Sequence, residues 1–334
     1  MKFCVAIVTM RQRAATLMKK ITATVLLALM ASGAGAQSYP VKPVRLIVPF
    51  PPGGGTDALA RTVAQNLTAT FGHAVIVDNR AGAGGTIGAE MGVRAAPDGY
   101  TLVMVSGSYA ANAALLNLPY DPVADITQVA LIAEAGFIIA LHPGVAAKSL
   151  KELIALTATQ PGKLNYASTG TGGITHLTTE YFLLATGARM THIPYKGTGP
   201  STVDLLSGQV QMKISAVPSM VQHMTTGRVR GIAITTLTRN ALLPDVPTVA
   251  ESFPGFQAKS WYGVWGPRGL PQPVVMRWNR EIARIVQTPA MQDRMAAEGL
   301  DAVIAPPERL RDQLREEVPK WARVVKAANI QPIQ

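Results

Sequence analysis

Val44-Arg45-Leu46-Ile47-Val48-Pro49-Phe50-Pro51-Pro52-Gly53-Gly54-Gly55-Thr56-Asp57 carries an apolar run into a turn of prolines and glycines and out into a helical pattern. Leu59, Val63 and Leu67 recur every four residues, which puts them on one helix face, and Gly72 follows as a stop signal. The result is a strand-to-helix unit whose loop can aim backbone N–H groups at an anion. Glycine lets the main chain approach a ligand closely, and the first N–H groups of a helix lack intrahelical partners and carry the positive end of its dipole. Phe50, Pro51, Gly53, Gly54, Gly55, Thr56 and Asp57 are therefore candidate ligand-binding residues. Asp57 has a second reading, as a cap for N–H groups at the start of its own helix.

The same unit recurs along the chain. Val75-Ile76-Val77 is a second strand, and the glycine-rich run to Gly85 leads to a helix that Thr86 can cap. Pro97-Asp98-Gly99 turns into a third strand, Tyr100 to Val105, which delivers Ser106 to its end. Leu131 to Leu141 is an extended apolar stretch interrupted at Glu134-Ala135-Gly136, long enough to pass from one domain to another. Leu164 to Ser168 leads into Thr169-Gly170-Thr171-Gly172-Gly173 and a helix with Ile174, Leu177, Tyr181 and Leu184 on one stripe. Met190 to Pro194 leads into Tyr195-Lys196-Gly197, then Pro200 as the first helical residue and a helix ending at Gly208. Val210 to Ile214 and Arg230 to Thr235 read as the last strand of this group and the return crossing. Trp261 to Trp265 is a further strand. Three helices finish the chain, the last expected to kink or break at Pro319.

Strands alternating with helices predict an α/β protein of two lobes, each a mostly parallel sheet flanked by helices. Residues 37–140 with 226–334 form the first lobe, and 141–225 the second. Open α/β sheets bind ligands beyond the C-terminal ends of their strands, so two facing lobes present these loops to one cleft. Ser106, Ser168, Thr169, Gly170, Thr171, Gly172, Gly173, Tyr195, Lys196 and Gly197 join the candidates on that ground. His176 lies beside the second-lobe loop, as a ligand-side donor or as a first-turn surface residue.

The N-terminus sets the compartment. Met18-Lys19-Lys20, the apolar stretch Ile21 to Ala31, and Ala34-Gly35-Ala36 before Gln37 have the layout of a Sec signal peptide over residues 1–36, with Met1 or Met18 as the start. The apolar stretch is too short for a membrane anchor. A periplasmic location follows. The single cysteine, Cys4, falls inside this leader, so the mature chain has no disulfide, thiolate metal site or cysteine nucleophile. Cleavage removes five cations and no acids and lowers the net charge from +11 to +6. The remaining Lys and Arg are dispersed without a basic cluster, which argues against nucleic acid and leaves a mild field favouring small anions.

Enzymatic readings fare worse. Gly53-x-Gly55-x-x-Ala58, with Asp78 at the end of the next strand, partly matches a dinucleotide fingerprint. Pro51-Pro52 separates the strand from the glycines, however, and Asp57 would face a pyrophosphate. No Gly-x-Ser-x-Gly elbow exists, and His73, His142, His176, His192 and His223 are scattered without a metal-binding pair spacing. No cofactor is expected.

Tyr39-Pro40 with Pro43 and Arg45, Pro49-Phe50, Gly53-Gly54 to Asp57, Asn79-Arg80 to Gly88, Pro97 to Leu102, Pro194-Tyr195-Lys196-Gly197 and Leu243 to Thr248 together resemble the Bug family, solute receptors of tripartite tricarboxylate transporters. The resemblance covers the mature chain. It implies a type II periplasmic binding fold, two crossing segments, a cleft that closes on one small carboxylate, and delivery to transporter membrane subunits by a receptor acting as a monomer. A signalling partner is the alternative recipient. Pro49 to Asp57 and Ser168 to His176 resemble the family's carboxylate-holding loops, which work through backbone groups and water. No arginine lies in either loop, so helix N-termini and not a guanidinium clamp would hold the acid.

One position departs from that family. Where relatives usually carry Phe-Asp, this chain has Ile214-Ser215 after Lys213. Residues two apart share a strand face, so Lys213 and Ser215 point together. Either they face the cleft, with Lys213 drawing a second carboxylate, or Lys213 runs to solvent past an edge strand. Replacing Gly54 or Gly172 by valine is expected to abolish binding and spare the fold.

Overall fold

A computed structural model describes residues 39–331. The leader over 1–36 and its cleavage site lie outside the described residues. Contacts divide the chain into Met1–Val41 and Lys42–Gln334, and all the secondary structure described belongs to the second unit.

Strand β1 (Val44–Val48) buries Val44, Leu46, Ile47 and Val48 completely, as a strand covered on both faces must. Helix α1 (Gly55–Phe71) follows and packs Leu59, Val63, Leu67 and Phe71 inward. Gly72 ends it at φ 69°, its N–H returning to the Thr68 carbonyl, a left-handed cap that favours glycine. Then come β2 (Val75–Asn79), a 3₁₀ turn at Ala83–Gly85, α2 (Thr86–Val93), β3 (Thr101–Ser106), α3 (Ser108–Leu115) and the long β4 (Ile126–Leu141). The chain continues through α4 (Leu150–Thr159), β5 (Asn165–Ser168), α5 (Ile174–Thr186), β6 (Thr191–Pro194), α6 (Thr198–Ser207), β7 (Met212–Ala216), α7 (Pro218–Thr225) and β8 (Arg230–Ile234). It ends with β9 (Lys259–Pro267), α8 (Gln272–Val286), α9 (Pro289–Ala297), β10 (Asp301–Ala302) and α10 (Glu308–Ala327).

The strands join in the order β2-β1-β3-β9-β4-β7-β5-β6, with β8 and β10 also on β4. The strand-to-helix units pair in parallel, β1 with β2 and β3, β5 with β6 and β7. The antiparallel pairs are those of β4 and β9. Strand β4 runs through both halves: its first part lies on β9, from Ile126 opposite Pro267 to Gly136 opposite Lys259, and its last part lies between β7 and β8. The return crossing is therefore β9, and Arg230–Ile234 is a strand of the second half.

Side-chain alternation along β4 sorts the second core. Phe137, Ile139 and Leu141 pack with Tyr166, Phe182, Met212 and Ile214 on one face, while Ile138 and Ala140 pack with Ala167, Leu205 and Met220 on the other. The first half is centred on Ile47, Val103, Trp261, Trp265, Leu310 and Trp321. Truncating a fully buried tryptophan such as Trp321 to alanine would cost about 3–5 kcal/mol.

Several local expectations need correction. Glu134-Ala135-Gly136 does not interrupt β4, because Lys259 and Arg309 neutralise Glu134 and all three residues stay paired to β9. Thr86 does not cap α2; the cap residue is Gly85, and the Thr86 hydroxyl donates to the Ala83 carbonyl. Helix α6 starts at Thr198, so Pro200 is its third residue. On α5 the inward stripe takes Phe182 and Leu183 with Leu177 and leaves Leu184 46% exposed. Helix α10 runs unbroken through Pro319, which lies on its exposed side while Leu310, Leu314, Trp321 and Val324 anchor the other.

Candidate functional site

The loops after β1, β2 and β5 and the start of α3 enclose a cavity of about 670 Å³. Pro49, Phe50 and Pro51 form one wall, Ala81–Thr86 a second, and Thr169, Gly170, Thr171 and Gly173 the opposite side, with Ser108, Asn112 and Leu118 closing it. Helices α2, α3 and α5 all begin here: the cap residues Gly85 and Gly173 and the first-turn Ser108 are in the wall. Their dipoles bring positive potential to one space. The Thr171 N–H has no partner among the described residues. Among the described residues neither Lys nor Arg lines the cavity, and Glu90, the one ionisable residue among them in the wall, is held 2.7 Å from Arg94. A second cavity of about 500 Å³ lies between Tyr181 of α5 and Lys320 of α10, with Gly255 and Gln257 of the loop before β9 in its wall, and no helix begins at it.

Local chemistry explains the second wall. Gly82, Gly84 and Gly85 have φ of 136°, 67° and 103°, a left-handed path closed to most side chains. A Cβ on Gly88 would lie 2.6 Å from the Arg80 carbonyl oxygen, so α2 can rest on this loop only with glycine there. The Asn112 amide donates to the Gly84 carbonyl and ties the loop to α3.

Of the sequence candidates, Phe50, Pro51, Thr169, Gly170, Thr171 and Gly173 line the cavity, and Gly53, Gly54, Gly55, Thr56 and Asp57 do not. Asp57 is 4% exposed, accepts the Gly53 N–H at 2.9 Å and is held by Arg61 and Asn79. Burial works against its charge, but those bonds keep its carboxyl below the usual range. Asp57 therefore fixes its own loop. Asp78 is engaged by Arg45 and Arg80, which removes the free acid that a dinucleotide ribose would need. Ser106 is at the strand end as read, but the residue in the wall is Ser108.

The second-lobe candidates divide. Ser168 and Gly172 are buried behind the loop. The Tyr195 hydroxyl donates to Asp204 at 2.6 Å, Lys196 is exposed, and the Gly197 N–H donates to the Thr169 carbonyl, bracing the glycine loop from its neighbour. Lys213 is fully buried on an interior strand, which rules out the path to solvent past an edge. Its ammonium donates to the Thr198 carbonyl at 3.2 Å and to the Thr202 hydroxyl at 2.8 Å in the first turns of α6. Burial lowers its pKa to about 8. Ser215 bonds Ser219 at 2.8 Å, and neither residue lines the cavity.

His176 is not a surface residue: it is 4% exposed and its Nδ1 accepts the Gly172 N–H at 3.0 Å. Its ring stacks on that of His192 at 3.8 Å, and the Ser168 hydroxyl lies 2.6 Å from His192 Nε2. Burial lowers both imidazoles to a pKa of about 4, with His192 adding to the shift at His176. Sequence spacing missed this pair because β6 brings His192 beside Tyr166 of β5 only through strand register. The Ala81–Thr86 wall was missed as well, although its glycines were a visible signal.

The model of the tripartite tricarboxylate transporter family receptor matches residues 59–330. Protein BugT of Bordetella pertussis is 38% identical over 301 residues, 89% of this chain and 92% of that one. Among solved structures, Rpa4515 of R. palustris with adipate is 32% identical at a TM-score of 0.78, covering 88% of this chain and all of that one. MatC from Rhodopseudomonas palustris with bound malate is 32% identical at 0.75, covering 86% and 100%.

Proposed function

Because this chain belongs to the tripartite tricarboxylate transporter receptor family, a two-lobed α/β group of receptors and not enzymes, we propose that it captures a small carboxylate between its lobes in the periplasm and hands it to transporter membrane subunits. The observation that carries this is the cavity on which α2, α3 and α5 direct their N-termini with no cation in its wall. Backbone N–H groups and helix dipoles can meet a carboxylate there without a charged side chain. Phe50, Pro51, Leu118 and Pro119 offer apolar contact to the rest of the solute. The lobes are residues 37–136 with 259–334 and residues 137–258, which keeps β8 with the last part of β4 in the second lobe, and the receptor works as a monomer after loss of residues 1–36.

Thermal unfolding of the mature protein with adipate, malate, benzoate and adipamide tests this reading. A ligand that binds only the folded state raises stability by RT ln(1 + [L]/Kd), about 2.7 kcal/mol at a hundredfold excess over Kd. At least one acid should raise the melting temperature and the neutral diamide should not. A diamide as effective as adipate, or no response to any of the acids, would overturn it.

A further inference from the structure

Beneath the glycine loop of the second half lies a set of buried and half-buried polar groups that the cavity itself does not use. His176 Nδ1 accepts the Gly172 N–H. His192 engages Ser168, whose hydroxyl donates to the Gly170 carbonyl and accepts the Gly170 N–H. Two imidazoles thus grip the loop at neighbouring points, one directly and one through a serine. Gly170 and Gly172 have φ of 143° and 77°, so the backbone they grip is one that hydrogen bonds must hold in place.

We propose that His176 and His192 are positioning residues, a neutral stacked pair that fixes the loop Thr169–Gly173 against the solute, and that a proton on His176 releases it. The chemistry requires the neutral form. An imidazole that accepts at Nδ1 carries its proton at Nε2, and protonating Nδ1 would set a donor against the Gly172 N–H. With ring centroids 3.8 Å apart, a charge on one ring opposes a charge on the other, and it is the proton on His176 that meets the Gly172 N–H. The titratable groups facing the pair are Tyr166 from β5, stacked 4.9 Å from His192, and Glu180 from α5, 3.9 Å from His176 Nε2. Glu180 already accepts the Tyr166 hydroxyl. It stands where an imidazolium charge would be met once Gly172 lets go. Burial keeps both rings unprotonated down to a pH of about 4.

The inference rests on the receptor reading for what is released, but its first test does not. In ¹⁵N-labelled mature protein, imidazole nitrogen shifts should show both rings neutral at pH 7 with His176 unprotonated at Nδ1. The Gly172 and Gly170 amide resonances should then shift with proton uptake near pH 4. A His176 protonated at Nδ1 at pH 7, or amides unmoved while the rings titrate in a folded protein, overturns it. His176→Asn supplies an oxygen for Gly172 that cannot titrate, so it should keep the neutral-pH loop signature and lose the acid transition. His176→Leu should lose amide protection at Gly172 at both pH values. With adipate as probe, the ratio of wild-type to His176→Asn affinity cancels the acid's own protonation. It should fall about twofold from pH 7 to pH 4 and about tenfold by pH 3, and a constant ratio counts against the proposal. Should adipate bind neither protein at either pH, the receptor reading loses support while the amide titration still decides the role of the pair.

Discussion

Lys213 shows what one side chain can and cannot reveal. Strand alternation puts it on the face of Ser215, and the structure keeps it there, between Ala140 of β4 and Ala167 of β5, whose small side chains leave room for its stem. Its ammonium is spent on the first turns of α6, a partner that alternation alone could not identify. Lys213→Met should therefore leave adipate affinity within about threefold. Its stability effect has a definite sign. The folded pKa is depressed by burial to about 8, so the unfolded chain binds more protons between there and the ordinary value near 10.5. Stability owed to this group is present above that upper value and lost as pH falls towards 8. The methionine variant should accordingly show a flatter melting profile across pH 8–10.5 and melt no lower at pH 7, since exchanging a buried charge for an apolar side chain of similar volume is often neutral or stabilising. A tenfold loss of adipate affinity would return Lys213 to the site. The two glycines earlier grouped together now part. Gly54 has φ −82°, and a Cβ there would make only an ordinary contact with the Pro51 carbonyl oxygen at 3.9 Å, so Gly54→Val should fold normally and tests whether the loop beyond Pro51 touches the solute. Gly172 has φ 77°, where valine costs about 1–2 kcal/mol before any ligand is considered, so its variant should melt lower.

At the scale of elements, period was the legible quantity and its exceptions have physical causes. The four-residue repeat of α1 and its glycine stop were readable because both are local. The course of α10 through Pro319 was not. A proline removes one backbone bond and crowds the preceding turn, but Leu310, Leu314, Trp321 and Val324 bury one face over the whole length and outweigh that local cost. Both Pro319 and Arg315, whose carbonyl loses its partner, are on the exposed side of the helix, which lowers the cost of that lost bond. Pro319→Ala should then raise stability by about 1–3 kcal/mol with no change in helix content by circular dichroism. An unchanged or lower unfolding midpoint in urea would mean that the proline is accommodated by a bend on which the α10 packing depends.

In the whole molecule the two-lobed α/β character was legible from alternating strands and helices, whereas the seam was not, because β4 and β9 find each other across more than a hundred residues of intervening chain. That seam carries one concentrated electrostatic tie. Glu134 of β4 accepts from Lys259 of β9 at 2.6 Å through one oxygen and from Arg309 of α10 at 2.9 Å through the other. The carboxylate is 11% exposed, and its partners are 27% and 40% exposed. These exposures place the tie between a surface pair worth at most about 1 kcal/mol and a buried one whose rupture costs about 3–5 kcal/mol. Glu134→Gln keeps the shape, removes the charge and leaves two cations facing each other, so a loss of about 1–3 kcal/mol is expected. For a chain of this size that is a fall in melting temperature of about 2–5 °C. Adding Arg309→Gln to the first variant should cost less than it does alone, because the carboxylate it served is already gone. Additive losses in that cycle, or an unchanged melting temperature in Glu134→Gln, would show that backbone pairing of β4 with β9 holds the seam without the tie.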